Sequence, residues 1–205
     1  MNVLILTDLQ NDFCPGGALA VPEGDVVIPL ANRLQQCFDL VVATQDWHPA
    51  DHGSFAANHP GREPGDVIEL GGLQQVLWPV HCVQSTSGAE LHPDLDTSKL
   101  ARVFRKGTDP QIDSYSCFFD NGHRKSTGLC EYLKQEGVTD VYLCGLALDY
   151  CVKFSALDAV AQGFTTWLIE DACRGIDREP GDIDRAIEQM RQEGVRVVRT
   201  KELIQ

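Results

Sequence analysis

The chain has 205 residues, 43% of them hydrophobic and 23% charged, and a formal net charge of −13. That length fits one domain over residues 1–205 with a full hydrophobic core, and so large an acidic excess argues against nucleic acid or an anionic membrane as partner. No apolar run approaches a membrane-spanning length, MNVLILTDLQ lacks the basic lead of a secretory signal, and eight cysteines scattered without a CxxC pair suit a reduced, cytoplasmic protein.

Short β-rich runs alternate with helical patterns. This predicts a Rossmann-like α/β domain of three layers, an open, mostly parallel six-stranded sheet flanked by helices. Val3 to Thr7 reads as the first strand, and a helix follows near Val26 to Gln36, with Pro29 tolerated in its first turn. Leu40 to Thr44 is the second strand. Residues 46–100, rich in Gly, Pro and His, read as a long irregular stretch, which in a compact domain is usually functional. Arg102 to Arg105 is the third strand, Leu129 and Leu133 mark a helix ended by Gly137, and Val141 to Cys144 is the fourth strand. A helix capped by Asp149 carries Val152, Ala156, Ala159 and Val160 on one face and stops at Gly163. Thr165 to Ile169 is the fifth strand. A helix opening at Pro180 then buries Ile183, Ala186, Ile187 and Met190 and stops at Gly194, before a sixth strand from Val195 to Arg199.

In open α/β sheets ligands bind beyond the carboxyl ends of the strands. Asp8 ends the first predicted strand, Asp46 and His48 follow the second, Lys106 ends the third and Cys151 follows the fourth. Taken singly these are a turn carboxylate, loop caps, a solvated lysine and a core cysteine. Their convergence on one edge is what points to a site. Cys151 is expected in the first turn of its helix, where free amides and the helix dipole favour thiolate over thiol. A carboxylate can take the thiol proton and an ammonium can stabilise the resulting charge. Asp8, Lys106 and Cys151 therefore make a workable acyl-transfer triad without histidine.

Asp46 and His48 alternate about Trp47, so in an extended chain they point the same way, and His81 in LWPVHCV is a natural third ligand. One carboxylate and two imidazoles suit zinc, iron or manganese, with positions left for water as in catalytic centres; capping of loops is the plain alternative. His52 and His59 read as ligands or as partners of ligands, and His92 and His123 as ordinary loop histidines. Phe13, Trp78 and Tyr115 lie close to these positions and would wall a flat aromatic substrate. Gly16-Gly17 and Gly71-Gly72 are not phosphate loops, because neither joins a strand to a helix.

The segments TDLQNDFCPGGALAVP, TQDWHPADHGSF, LWPVHCVQ, GAELHP, VFRKGTDPQIDSYSCFFDN and CGLALDYCVKFSALDA span essentially the whole chain. Together they resemble the bacterial nicotinamidases of the isochorismatase-like cysteine hydrolase superfamily. The resemblance implies Asp8, Lys106 and Cys151 as catalytic triad and Asp46, His48 and His81 as ligands of one divalent ion, zinc ahead of iron or manganese. It implies Phe13, Leu19, Trp78 and Tyr115 around a pyridine ring whose nitrogen meets the metal. It also implies a cis peptide before Ala147 that turns the amides of Ala147 and Cys151 into an oxyanion hole. The implied reaction is hydrolysis of a small pyridine carboxamide, nicotinamide or also pyrazinamide, through a thioester in pyridine-nucleotide salvage. Monomer and homodimer both remain open. Leu148 stands where the family usually has threonine, so a hydroxyl of the turn is missing. The rivals are a metal-free ureido or carbamoyl amidase, against which DWH and WPVHC speak, a zinc hydrolase with a structural Cys151, and a silent relative that binds metal or pyridine without turnover.

Overall fold

In the computed structural model, which describes residues 1–204, all six predicted strands form; the first five extend beyond their expected bounds and the sixth shortens to Arg196–Val198. The elements are β1 (Asn2–Thr7), α1 (Val27–Leu34), β2 (Leu40–Asp46), β3 (Val67–Leu70), β4 (Leu73–Val76), β5 (Leu100–Lys106), α2 (Leu129–Gln135), β6 (Asp140–Leu146), α3 (Lys153–Ala161), β7 (Thr165–Arg174), α4 (Asp182–Gln192), β8 (Arg196–Val198) and α5 (Thr200–Leu203). Six strands make one sheet in the order β5-β2-β1-β6-β7-β8, with every pairing parallel. VLIL in β1 and LVVA in β2 are continuous apolar runs because both faces of these strands are buried. Right-handed crossovers place α1 on the face opposite α2, α3 and α4. In keeping with this, α1 touches α5 while α3 touches α4.

The strand order reverses between β1 and β6. From β1 the chain moves outward to β2 and β5; from β6 it moves the other way to β7 and β8. The crevice at such a switch point is where this architecture binds ligands, and Asp8 and Cys151 leave the sheet from its two sides. Gly145, at φ 122°, makes the crevice possible, since any Cβ there would run into the Thr7 carbonyl.

Four expectations need correction. The stretch 46–100 is not irregular throughout: β3 and β4 pair antiparallel as a hairpin turning on Gly71 and Gly72, both with positive φ, the conformation of a two-residue turn. The helix expected from Pro180 opens at Asp182, because Gly181 at φ 89° is still outside helical space. A short helix, α5, was not foreseen; Glu202 reaches back 2.7 Å to the Arg199 amide to close its single turn. Asp149 is not a helix cap. It lies inside a wide π-type turn, Leu148–Val152, and its carboxylate accepts the amides of Ile176 and Asp177 at 2.9 Å each. A distant loop competes successfully for a carboxylate that local spacing assigned to its own helix.

Candidate active site

Lys106, at the end of β5 and only 2% exposed, is the hub of the crevice. Its ammonium donates to Asp46 Oδ1 at 2.5 Å, to the Ser114 carbonyl at 2.9 Å and to Cys151 Sγ at 3.4 Å. Asp8 Oδ2 sits 2.9 Å from the same ammonium as a buried ion pair. The other carboxylate oxygen accepts the Thr44 hydroxyl at 2.6 Å. Asp8 and Cys151 thus lie against the same ammonium, with a carboxylate oxygen and the sulfur within 4.8 Å of each other.

The electrostatics overturn one expectation. Cys151 does not rest as a thiolate: burial pushes its thiol well above the usual cysteine range, Lys106 only partly offsets this, and Asp8 and Asp46 add to it. A helix dipole is worth little against full desolvation and two carboxylates. Asp8 is also raised, by burial first, against the pull of Lys106 and with the repulsion of Asp46. A proton is therefore held on the thiol beside a carboxylate of raised basicity. That arrangement suits general-base activation at the moment of attack better than a standing thiolate.

Asp46, His48 and His81 present ligand atoms within 4.8 Å of one another, all buried. His48 Nδ1 lies 2.9 Å from the Gly107 carbonyl and His81 Nδ1 2.8 Å from the Pro79 carbonyl. A carbonyl only accepts, so Nδ1 carries the proton in each ring, and both Nε2 lone pairs face Asp46 Oδ2, at 3.6 and 3.9 Å. With both rings neutral, three electron-pair donors converge, which fits a divalent cation. Burial and the charge of His48 hold His81 down at about 4, neutral and free to ligate. Without a metal His48 is drawn up instead, because the charge and hydrogen bond of Asp46 outweigh burial; a bound cation would replace that proton. Phe55 backs both rings, with centroids at 5.4 and 5.5 Å. Gly107 has φ 64°, and a Cβ there would strike the His48 ring.

The remaining histidines separate clearly. His52 stacks 4.4 Å from His48 and forms a second possible ligand group with His48 and Asp113, while His59 bonds the Gly53 carbonyl at 2.8 Å. His92 accepts the Asp94 amide, and exposed His123 lies 3.3 Å from Asp158. Cys151 and the Asp46–His48–His81 cluster open into one pocket, with Asp8 and Lys106 buried behind it. Phe13, Leu19, Trp78, Tyr115 and Ala147 all line it, and the Leu146–Ala147 peptide is cis. Sequence reasoning missed Asp113, Tyr150 and Ile176 in the same wall. Tyr150, next to Cys151 and edge-on to Trp78 at 4.9 Å, was detectable as an aromatic neighbour of the thiol. Ile176 had no local signal; the Asp149 carboxylate brings it there by holding its amide.

The isochorismatase domain matches residues 2–202. Over 191 residues the chain is 51% identical to a nicotinamidase of Escherichia coli, covering 91% of this chain and 89% of that protein. A solved nicotinamidase and pyrazinamidase of Acinetobacter baumanii aligns with a TM-score of 0.96 at 50% identity, covering 98% of this chain and 97% of the other. A protein of L. infantum in complex with nicotinate follows at 0.86 and 36%, covering 98% and 93%. The pyrazinamidase of Pyrococcus horikoshii in complex with zinc aligns at 0.78 and 40%, covering 97% and 98%. Together with the parallel sheet and the crevice at its switch point, these matches show that the chain belongs to the isochorismatase family and is an amidohydrolase.

Proposed function

We propose that the protein hydrolyses nicotinamide to nicotinate and ammonia, and pyrazinamide likewise, in the cytoplasm, as a step in pyridine-nucleotide salvage. The observation that carries this reading is one aromatic pocket lined by both Cys151, which contacts Lys106 and through it Asp8, and the Asp46–His48–His81 cluster. All eight cysteines are unpaired, which supports a reducing compartment. Asp8 Oδ2 takes the Cys151 proton as sulfur attacks the carboxamide carbon. Lys106 keeps the resulting charges together, and the amides of Ala147 and Cys151 receive the developing oxyanion. Asp8 then passes its proton to departing ammonia, leaving a thioester, and next deprotonates the water that releases the acid. Phe13, Leu19, Trp78 and Tyr115 hold the ring flat and keep bulk water out. Asp46, His48 and His81 would hold a divalent ion, zinc first, which supplies an electron-pair acceptor that orients the pyridine nitrogen.

Purified protein is expected to release ammonia from nicotinamide and pyrazinamide and not from ureido acids; the reverse preference would establish the metal-free rival. Exhaustive chelation should weaken substrate binding and activity, with recovery on adding zinc, iron or manganese. His81→Ala should lose most bound metal, since one of three protein ligands is gone. Gly107→Ala should lower metal content as well, because the new Cβ displaces the His48 ring. Full metal stoichiometry in both variants, measured by elemental analysis, would remove these residues from the centre.

A further inference from the structure

Past β1 the chain turns out of the sheet at Asp8, whose φ is 49°. The β1–β2 register ends at Leu6 and Ala43, yet β2 continues to Asp46, so its last residues run on without β1 beside them. Side chains of the departing segment DLQNDF take that place. Gln10, fully buried, accepts the Asp46 amide through Oε1 and donates to the Asp46 carbonyl through Nε2, both at 2.8 Å. Its carboxamide thereby pairs with the Asp46 backbone as a neighbouring strand would. The other Nε2 proton goes to the Ala89 carbonyl at 2.8 Å. Asp12 does the corresponding work at the next loop. Its Oδ2 accepts the amide of Cys82, the residue after His81, at 2.7 Å, and its Oδ1 accepts the Ala18 amide at 3.2 Å. Cys82 stands at φ 45° and its carbonyl accepts the His48 amide at 3.0 Å. Phe13 completes the segment with its ring 5.6 Å from that of His81.

We infer that Gln10 and Asp12 are positioning residues of the metal centre: they hold the Asp46 backbone and the His81–Cys82 turn at the separation one divalent ion requires. The inference rests on the reading of Asp46, His48 and His81 as ligands. The segment that carries the base Asp8 then also sets metal affinity, which couples the two halves of the site. Loss of Gln10 leaves the amide and carbonyl of Asp46 and the carbonyl of Ala89 without these partners in the protein interior, so the β2 end relaxes and its carboxylate shifts. Outer partners of this kind tune a centre without touching the ion.

The test compares wild type, Gln10→Met, Asp12→Asn and Asp12→Ala by zinc competition against a chromophoric chelator, and by melting with and without zinc. Leu133→Ala, on α2, which contributes nothing to the pocket, serves as a destabilised control. Zinc affinity is expected to fall about 10–100-fold in Gln10→Met and Asp12→Ala. The loss should be smaller in Asp12→Asn, which keeps one acceptor oxygen, and absent in Leu133→Ala. The rise in melting temperature on adding zinc should shrink in step with affinity, and saturating zinc should restore most of kcat. If Gln10→Met does not fold, the two Asp12 variants carry the comparison. Variants that melt lower but bind zinc as tightly as wild type overturn the inference alone. Wild-type protein that binds no divalent metal overturns the underlying reading and this inference with it.

Discussion

Cys151→Ala is expected to abolish ammonia release, by on the order of 10⁴–10⁶-fold, while nicotinamide still binds. Among the described residues lining the pocket, Cys151 is the only one that can form a thioester, and its sulfur lies 3.4 Å from the Lys106 ammonium. Folding should survive. Alanine fits the turn, and Lys106 loses its longest contact while keeping Asp46 and the Ser114 carbonyl. Binding followed by calorimetry and turnover by ammonia release separate the two effects. Substantial turnover in pure Cys151→Ala protein would transfer the chemistry to a metal-held hydroxide and leave the cysteine structural.

The second large effect distinguishes Asp8 from Lys106. Asp8→Asn keeps the shape and the bond from Thr44 but cannot take a proton, so activity should fall about 10²–10⁴-fold or more at every pH. Its stability should not fall with it. Burial raises the Asp8 carboxyl above its ordinary value, against Lys106 and with Asp46. A carboxyl raised on folding contributes stability below its unfolded pKa and loses it as pH climbs through the folded one. The charged form of Asp8 is therefore a net cost to folding, which asparagine does not carry. The melting temperature should stay within about 4 °C of wild type. Lys106→Arg keeps the charge and alters the geometry, so it should retain impaired activity. Lys106→Ala leaves Asp8 and Asp46 buried without their cation and should cost about 3–5 kcal/mol of stability. It should also slow alkylation of Cys151, because the one group lowering the thiol pKa is gone. Rates of alkylation against pH, with melting curves for all four proteins, decide the matter. An active Asp8→Asn beside a dead Lys106→Arg would make lysine the proton carrier.

Asp46 shows why stability and chemistry pull against each other here. Lys106, then His48, hold its carboxyl far below the usual range despite burial. A carboxyl lowered on folding stabilises above its unfolded pKa and loses that contribution as pH falls toward the folded one. Acid should therefore unfold the protein through Asp46 while it relieves Asp8. The two carboxylates share one lysine and differ because only Asp46 also faces two imidazoles.

The residues that could be read in sequence were those whose signal is local. Apolar runs of four or five residues marked β1, β2 and β6, since strands buried on both faces need no alternation. Asp8, Asp46, His48 and Cys151 were legible because each follows such a run, and Lys106 because it ends a predicted strand; the ends of parallel strands share one edge. What local pattern could not supply was competition between distant groups. Spacing made Asp149 a helix cap and Cys151 a thiolate. In the folded chain the amides of Ile176 and Asp177 claim Asp149, and burial among carboxylates returns the proton to Cys151. Desolvation depends on everything packed around a group, so no local window contains it. The same holds for Gln10, an unremarkable glutamine in sequence that becomes a surrogate strand for Asp46 only when β1 turns away and β2 runs on. Residue types and their order along the chain determined which chemistry was available at the sheet edge. Tertiary structure alone decided which carboxylate is free to accept a proton and which is committed to histidines and lysine, because partners far apart in sequence set the charge each buried group can bear.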